Sequence, residues 1–253
     1  MGMTPALPMP MRRMVGRETV EGAALWFSRQ RVSRPENEIT MNRPYRLSVI
    51  TNSIFSSRTY IFEASLDAPV WLIDCGDFDR VLEQIGERPV AGVLLTHAHF
   101  DHIYGLPELL HRFPQAKIVT NKVGLETLGN SRLNLSRYQG AAMDIVPENV
   151  MLVREGDTVP LSDGKPAGIS ADLPAALSAR VYETPGHHPS CLTFEVGDWL
   201  FTGDAYIPDE KVITNLPGGN KTLAAASLAR LLALSCGKIL CPGHSPRAAT
   251  EDI

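Results

Sequence analysis

Thr96-His97-Ala98-His99-Phe100-Asp101-His102 follows the apolar run Val90-Ala91-Gly92-Val93-Leu94-Leu95 and precedes a helical pattern from Ile103 to Arg112. The run is short and rich in aliphatic residues, so it reads as a buried strand, and the polar cluster behind it lies at a strand end. Two positions apart in extended chain, His97 and His99 leave on one face and can chelate a single ion. Asp101 and His102 can then serve a second. Imidazole and carboxylate are donors that zinc, manganese and iron accept, and no cysteine is required. Scattered histidines are common on protein surfaces, but His-x-His-x-Asp-His directly after a strand is a far more specific arrangement.

Three further pieces lie downstream, each in a glycine-containing turn after an apolar or extended segment. Glu183-Thr184-Pro185-Gly186-His187 supplies one histidine, Asp198-Trp199-Leu200-Phe201-Thr202-Gly203 leads to Asp204, and Lys238-Ile239-Leu240-Cys241-Pro242-Gly243 leads to His244. Each glycine lets the backbone bend so that the next side chain points into a shared site.

In this order the four segments resemble the metallo-β-lactamase superfamily, with its His-x-His-x-Asp-His followed by Gly-His, Gly-Asp and Gly-His. The resemblance implies that His97, His99 and His187 hold a first metal, that Asp101, His102 and His244 hold a second, and that Asp204 bridges them. It implies two divalent cations, zinc foremost, with manganese or iron as the other choices. His188 is expected to be a neighbour or substrate contact and His111 a surface helix residue. The implied fold is α/β: an αββα sandwich of two mixed sheets with helices outside and the metal cleft at one edge.

The remaining pattern is compatible with that fold. Strands are expected over Arg46–Asn52, Thr59–Glu63, Val70–Asp74, Lys117–Thr120, Asn149–Val153, Arg180–Glu183, Leu192–Val196 and Lys238–Leu240. Helices are expected over Arg80–Glu87, Lys122–Leu128 and Thr222–Leu234, the last capped by Asn220 or Thr222 and ended by Gly237. Gly218-Gly219-Asn220-Lys221-Thr222 lacks the spacing of a phosphate-binding loop and reads as a turn and cap.

At 253 residues, 44% hydrophobic and 21% charged, the chain suits one sizeable catalytic domain, expected over residues 45–253. The net charge is −4, distributed unevenly. Residues 1–44 hold seven arginines and four acidic residues, leaving 17 basic against 24 acidic residues beyond them. An acidic body does not offer the basic face that nucleic acid requires. A small-molecule substrate is expected, with neither nucleic acid nor membrane as a partner; a second copy of the chain stays open.

The first 44 residues carry six of the eight methionines and stand outside the fold pattern. They read as a flexible extension, with no apolar stretch long enough for a signal peptide or membrane span and with Met41 as a candidate start. Cys75, Cys191, Cys236 and Cys241 form no metal-ribbon spacing, so reduced thiols and a cytoplasmic location are expected.

The expected chemistry is hydrolysis of a small thioester, ester or lactone. Paired metals lower the pKa of a shared water, to about 7 on a catalytic zinc. Asp101 is the candidate proton carrier and Tyr206, on the loop after Asp204, a candidate oxyanion donor. An aspartate at the bridging position departs from classical β-lactamases and matches glyoxalase II-like hydrolases. Only nine residues follow His244, so a compact form without the helical glutathione-binding domain is expected. A single-iron oxidoreductase of the persulfide dioxygenase type is the alternative, and a non-catalytic module braced by metal comes third.

Overall fold

A computed structural model of the chain describes residues 45–64, 68–162 and 177–245. The expected flexible extension over residues 1–44 lies outside the described residues.

The first sheet is built from β1 (Arg46–Thr51), β2 (Arg58–Glu63), β3 (Val70–Ile73), β4 (Val90–Leu94), β5 (Lys117–Thr120) and β6 (Val150–Leu152), neighbours in that order. The β1–β2 and β2–β3 pairs are antiparallel, and the next three pairs are parallel. The second sheet runs β11-β10-β9-β8-β7, from β7 (Thr158–Pro160), β8 (Ser178–Glu183), β9 (Leu192–Val196), β10 (Trp199–Gly203) and β11 (Ile239–Pro242). Only β10 and β11 pair in parallel there. Both sheets are therefore mixed, as expected.

Alternation along the strands assigns each face. In β3, Trp71 and Ile73 enter the core between the sheets, while Val70 and Leu72 enter the core on the other face. A strand covered on both sides must be apolar throughout, which is why Val70–Ile73 shows no polar alternation. The outer core of the first sheet packs beneath α1 (Phe78–Ile85), α3 (Leu106–Arg112) and α4 (Lys122–Leu128), through residues such as Val81, Leu109 and Leu128. In β10, Trp199 and Phe201 face inward, and Leu200 faces Leu231 of α5 (Lys221–Leu234) on the outside. The result is four layers, αββα.

Aromatic rings fill the space between the sheets: Tyr60 meets Phe201 edge-on at 5.1 Å and Phe62 meets Trp199 at 6.0 Å. Truncating Phe201 to alanine would cost about 3–5 kcal/mol in lost transfer energy and cavity.

Three expectations need correction. The helix expected over Ile103–Arg112 is two helices, α2 (Phe100–Ile103) and α3. The chain breaks at Gly105, whose N–H donates to the Cys75 carbonyl rather than continuing the ladder. β7 is absent from the expected strands, because a three-residue strand ending in Pro160 leaves almost no periodic signal. The last helix ends at Leu234 as expected, but Ser235 rather than Gly237 follows it as the C-terminal cap. Asn220 caps it as expected, its side chain accepting from the N–H groups of Thr222 and Leu223.

Candidate metal centre

The site gathers where strands of both sheets end. Parallel β3, β4 and β5 deliver Asp74, His97 and Asn121 just past their carboxyl ends, and β10 and β11 deliver Asp204 and His244. Ligand sites of open α/β sheets form at such ends. His99 precedes α2, Asp101 and His102 lie on it, and His187 sits in the turn between β8 and β9.

Close approach requires glycine at two of the turns. A Cβ on Gly243 would stand 2.4 Å from Asp204 Oδ1 and 2.9 Å from His102 Cε1. A Cβ on Gly186, whose φ is +144°, would stand 2.3 Å from the backbone of Ala224 in α5. Only hydrogen fits at either place, so both turns come in tight against the site.

All seven residues expected as ligands converge. His97, His99 and His187 form one group, Asp101, His102 and His244 another, and Asp204 groups with His97 and His102, with ligand atoms inside each group within 4.8 Å of one another. Asp204 divides its oxygens between the two sides. Oδ2 lies 3.4 Å from His187 Nε2 and 4.0 Å from His97 Nε2; Oδ1 lies 3.4 Å from His102 Nε2 and 3.3 Å from His244 Nε2. Asp101 Oδ2 stands 3.2 Å from His244 Nε2 and 3.5 Å from His102 Nε2.

Outer partners settle which nitrogen faces inward. His187 Nδ1 lies 2.9 Å from the Ile213 carbonyl, His244 Nδ1 lies 2.9 Å from the Phe55 carbonyl, and His102 Nδ1 lies 2.9 Å from Asp74 Oδ2. Each acceptor demands a proton on Nδ1. His97 Nδ1 lies 3.2 Å from Thr96 Oγ1, whose own proton goes to Asp74 Oδ2 at 2.7 Å. These four imidazoles therefore turn Nε2 toward Asp204. Asp74 also accepts from the Thr96 N–H at 2.8 Å, so one buried carboxylate fixes the loop and two histidines.

Such an array of inward lone pairs is costly without a cation. Among the described residues, His97 Nε2, His99 Nε2 and Asp204 Oδ1 are buried and lack a hydrogen-bond partner. His99 Nδ1 and His187 Nε2 close to 2.8 Å, a contact that needs one proton between two acceptors or a cation in its place. The electrostatics express the same demand. Burial pulls the His244 imidazole down, but Asp204 and Asp101 outweigh it and push it up to about 10; His102 is likewise raised against its burial by Asp101 and Asp204. On the other side burial, then His187, pushes His99 down to about 3, and burial, then His102, holds His97 well below its usual range. The carboxylates call for positive charge that His97 and His99 do not supply by protonation. The residues present thus fit divalent cations by donor type, tautomer and charge.

The other candidates stand outside these three groups. His188 is buried, edge-on to His99 with ring centres 4.8 Å apart, and its Nδ1 accepts from the Ser190 N–H at 3.2 Å. His111 is exposed on α3. Tyr206 packs its ring against the Tyr182–Leu200–Leu231 cluster under α5, and Thr202 Oγ1 donates to its carbonyl at 3.2 Å. That packing sets its side chain in the outer layer of the second sheet. Cys75 and Cys191 are buried and belong to none of the three groups.

Sequence patterns do not reveal the groups that aim the ligands. Asp74 is legible only as a carboxylate ending an apolar strand. Asn121 acts at two places. It caps α4 by accepting from the Gly124 N–H at 2.8 Å, and it donates to the Ser190 carbonyl at 3.2 Å, tying β5 to the His187 turn.

Comparison with known proteins agrees with this architecture. The sequence profile of the Metallo-beta-lactamase superfamily matches residues 56–244. Hydroxyacylglutathione hydrolase of Xylella fastidiosa (strain 9a5c) is 31% identical over 180 residues, 70% of this chain and 56% of that protein. The chain thus spans little more than half the length of that relative. The crystal structure of ETHE1 from Myxococcus xanthus superposes with a TM-score of 0.58 at 26% identity, covering 81% of this chain and 77% of that one. BLEG-1 B3 metallo-beta-lactamase superposes at 0.63 with 23% identity, covering 79% and 92%, a likeness of fold. With the sandwich, the ordered ligand segments and a profile match across most of its length, the chain belongs to the metallo-β-lactamase superfamily.

Proposed function

We propose that the chain is a dinuclear metal-dependent hydrolase of small acyl substrates, thioesters first, with residues 45–253 as its catalytic domain. The observation that carries this reading is the division of Asp204, with one oxygen toward His97 and His187 and the other toward His102 and His244. In this reading His97, His99 and His187 would hold one ion and Asp101, His102 and His244 the other, with one oxygen of Asp204 offered to each. Zinc suits this nitrogen and oxygen set, and manganese or iron would also be accepted. The hydroxyacylglutathione hydrolase relative supports a thioester as substrate.

When bound, divalent ions supply Lewis acidity and a water acidic enough to act as a nucleophile near neutral pH. The chain's own residues supply the rest. Asp101 is the carboxylate at the open side, its side chain 14% exposed and beside His102 and His244, where it can orient that water and take its proton. Asp74 and Thr96 hold His102 and His97 in one tautomer, so neither needs to reorganise during turnover. The near-complete burial of His97, His99 and His102 excludes bulk water from that side.

A single-iron oxidoreductase would need only His97, His99 or His187 with Asp204. The separate Asp101–His102–His244 group favours two ions over one. The test is turnover of a thioester such as S-lactoylglutathione by metal-replete protein, abolished by Asp101→Ala together with loss of one ion. Oxygen uptake without thiol release would overturn the hydrolase reading. A cytoplasmic location, with reduced thiols, is part of the same proposal; no helix of the described residues is long and apolar enough to cross a membrane.

A further inference from the structure

Eight large apolar side chains are exposed among the described residues, and two of them, Phe55 at 63% and Ile213 at 47%, belong to the residues whose carbonyls hold His244 and His187. They come from opposite halves of the sandwich: Phe55 from the β1–β2 hairpin tip and Ile213 from the loop after β10. The histidines they hold flank opposite oxygens of Asp204. One residue with an exposed apolar side chain is thus bonded through its carbonyl to each side of the centre.

The Phe55 tip is firmly built. Phe55 and Ser56 both have φ of +54°, a left-handed conformation that side-chain-bearing residues rarely adopt. Strained residues persist only where their surroundings over-determine them. Here the Ser53 N–H and hydroxyl donate to Asp77 at 2.8 and 2.7 Å, the Asn52 amide donates to Ser57 and Thr59, and the Ser57 hydroxyl donates to the Asp101 carbonyl at 2.7 Å. The Ser245 N–H donates to the Ser56 carbonyl on the far side. A tip fixed by so many bonds, one of them to the backbone of Asp101, holds a solvent-exposed phenyl ring on the residue whose carbonyl meets His244. The carbonyl accounts for the backbone position but not for the side chain, since any residue offers a carbonyl.

We infer that Phe55 and Ile213 form an apolar pincer that selects substrates whose acyl group carries an aliphatic or aromatic segment. This rests on the acyl-hydrolase reading for its reaction and deepens it by naming the substrate class. Closing over a chain would remove both side chains and the substrate's methylenes from water, a gain of up to about fourfold in binding per methylene fully buried.

The test pairs turnover with binding. Acetyl, butanoyl and hexanoyl thioesters of one thiol are compared in metal-replete wild type and in Phe55→Ala and Ile213→Ala, with S-lactoylglutathione as the polar comparator. Both variants keep the carbonyls that hold His244 and His187, so metal content serves as the control. The wild type is expected to prefer hexanoyl over acetyl on the order of tenfold in kcat/KM, and each variant to lose most of that ratio. Calorimetry with hexanoate and acetate reads the pincer without turnover: hexanoate should bind more tightly, with a more negative heat-capacity change that shrinks in the variants. Equal kcat/KM along the series and equal binding of the two carboxylates would overturn the pincer. No thioester turnover with the hexanoate preference intact would overturn the hydrolase reading and leave the pincer standing.

Discussion

Asp74 Oδ2 lies 2.9 Å from His102 Nδ1, and the same carboxylate takes both the N–H and the hydroxyl of Thr96. Burial raises the Asp74 pKa, and the bonds to His102 and Thr96 work against that rise. A buried carboxylate so engaged fixes two candidate ligands at once, His102 directly and His97 through Thr96. Asp74→Ala removes the acceptor and leaves three donors buried without a partner. Metal affinity should fall about 10–100-fold, and stability should fall by roughly 1–3 kcal/mol. Competition with a chelator and denaturant unfolding measure the two losses; affinity unchanged within about twofold would show that Asp74 does not aim His102.

Gly243 is the second point where one atom decides the site. A methyl group there would sit 2.4 Å from Asp204 Oδ1, so the His244 turn or Asp204 must move. Gly243→Ala is expected to lose at least one bound ion per chain, and overpacking should cost about 1–3 kcal/mol. Elemental analysis and thermal unfolding check both effects.

Protein stripped of metal should show a distinctive pH profile. His244 is pushed up to about 10 in the folded state, above its ordinary value of 6.5. Its contribution to stability is therefore complete below pH 6.5 and disappears as pH rises through about 10. His188 runs the other way: burial first, and His187 next, push it down to about 4. The unfolded chain then takes up that proton first, so its effect is to lower stability as pH falls from 6.5 to about 4. Tm against pH should fall at both ends. Adding metal should flatten the alkaline limb, because a cation replaces the proton on His244. His188→Gln should make the acid limb shallower, leaving the part that His97 and His99 contribute, and an acid limb unaltered by that change would refute the assignment.

Tyr206 offers a test of packing against chemistry. Its ring is set in the cluster under α5, so Tyr206→Phe should keep kcat within about twofold, whereas the loss of an oxyanion donor would cost about 100-fold or more. Steady-state kinetics of the two proteins separate these outcomes.

The convergence of the candidate ligands was legible because metal chemistry restricts them to few residue types, and because strand ends and glycine turns mark where His97, His187, Asp204 and His244 fall. Burial on both faces likewise made Val70–Ile73 and Val90–Leu94 readable as strands. What escaped has a physical reason in each case. The carbonyls of Phe55 and Ile213 that orient His244 and His187 leave no mark in sequence, since every residue carries one. Asp74 acts across two strands, through a pairing that only the sheet order creates. The break at Gly105 comes from a tertiary bond to Cys75, which overrides a local helical pattern.

The most direct test of the central claim is the metal content of the full chain, purified without chelators and measured by elemental analysis against protein concentration. The division of Asp204 between two histidine groups predicts two divalent ions per chain in wild type. A single ion at saturation, with the Asp101–His102–His244 group left empty, would contradict it.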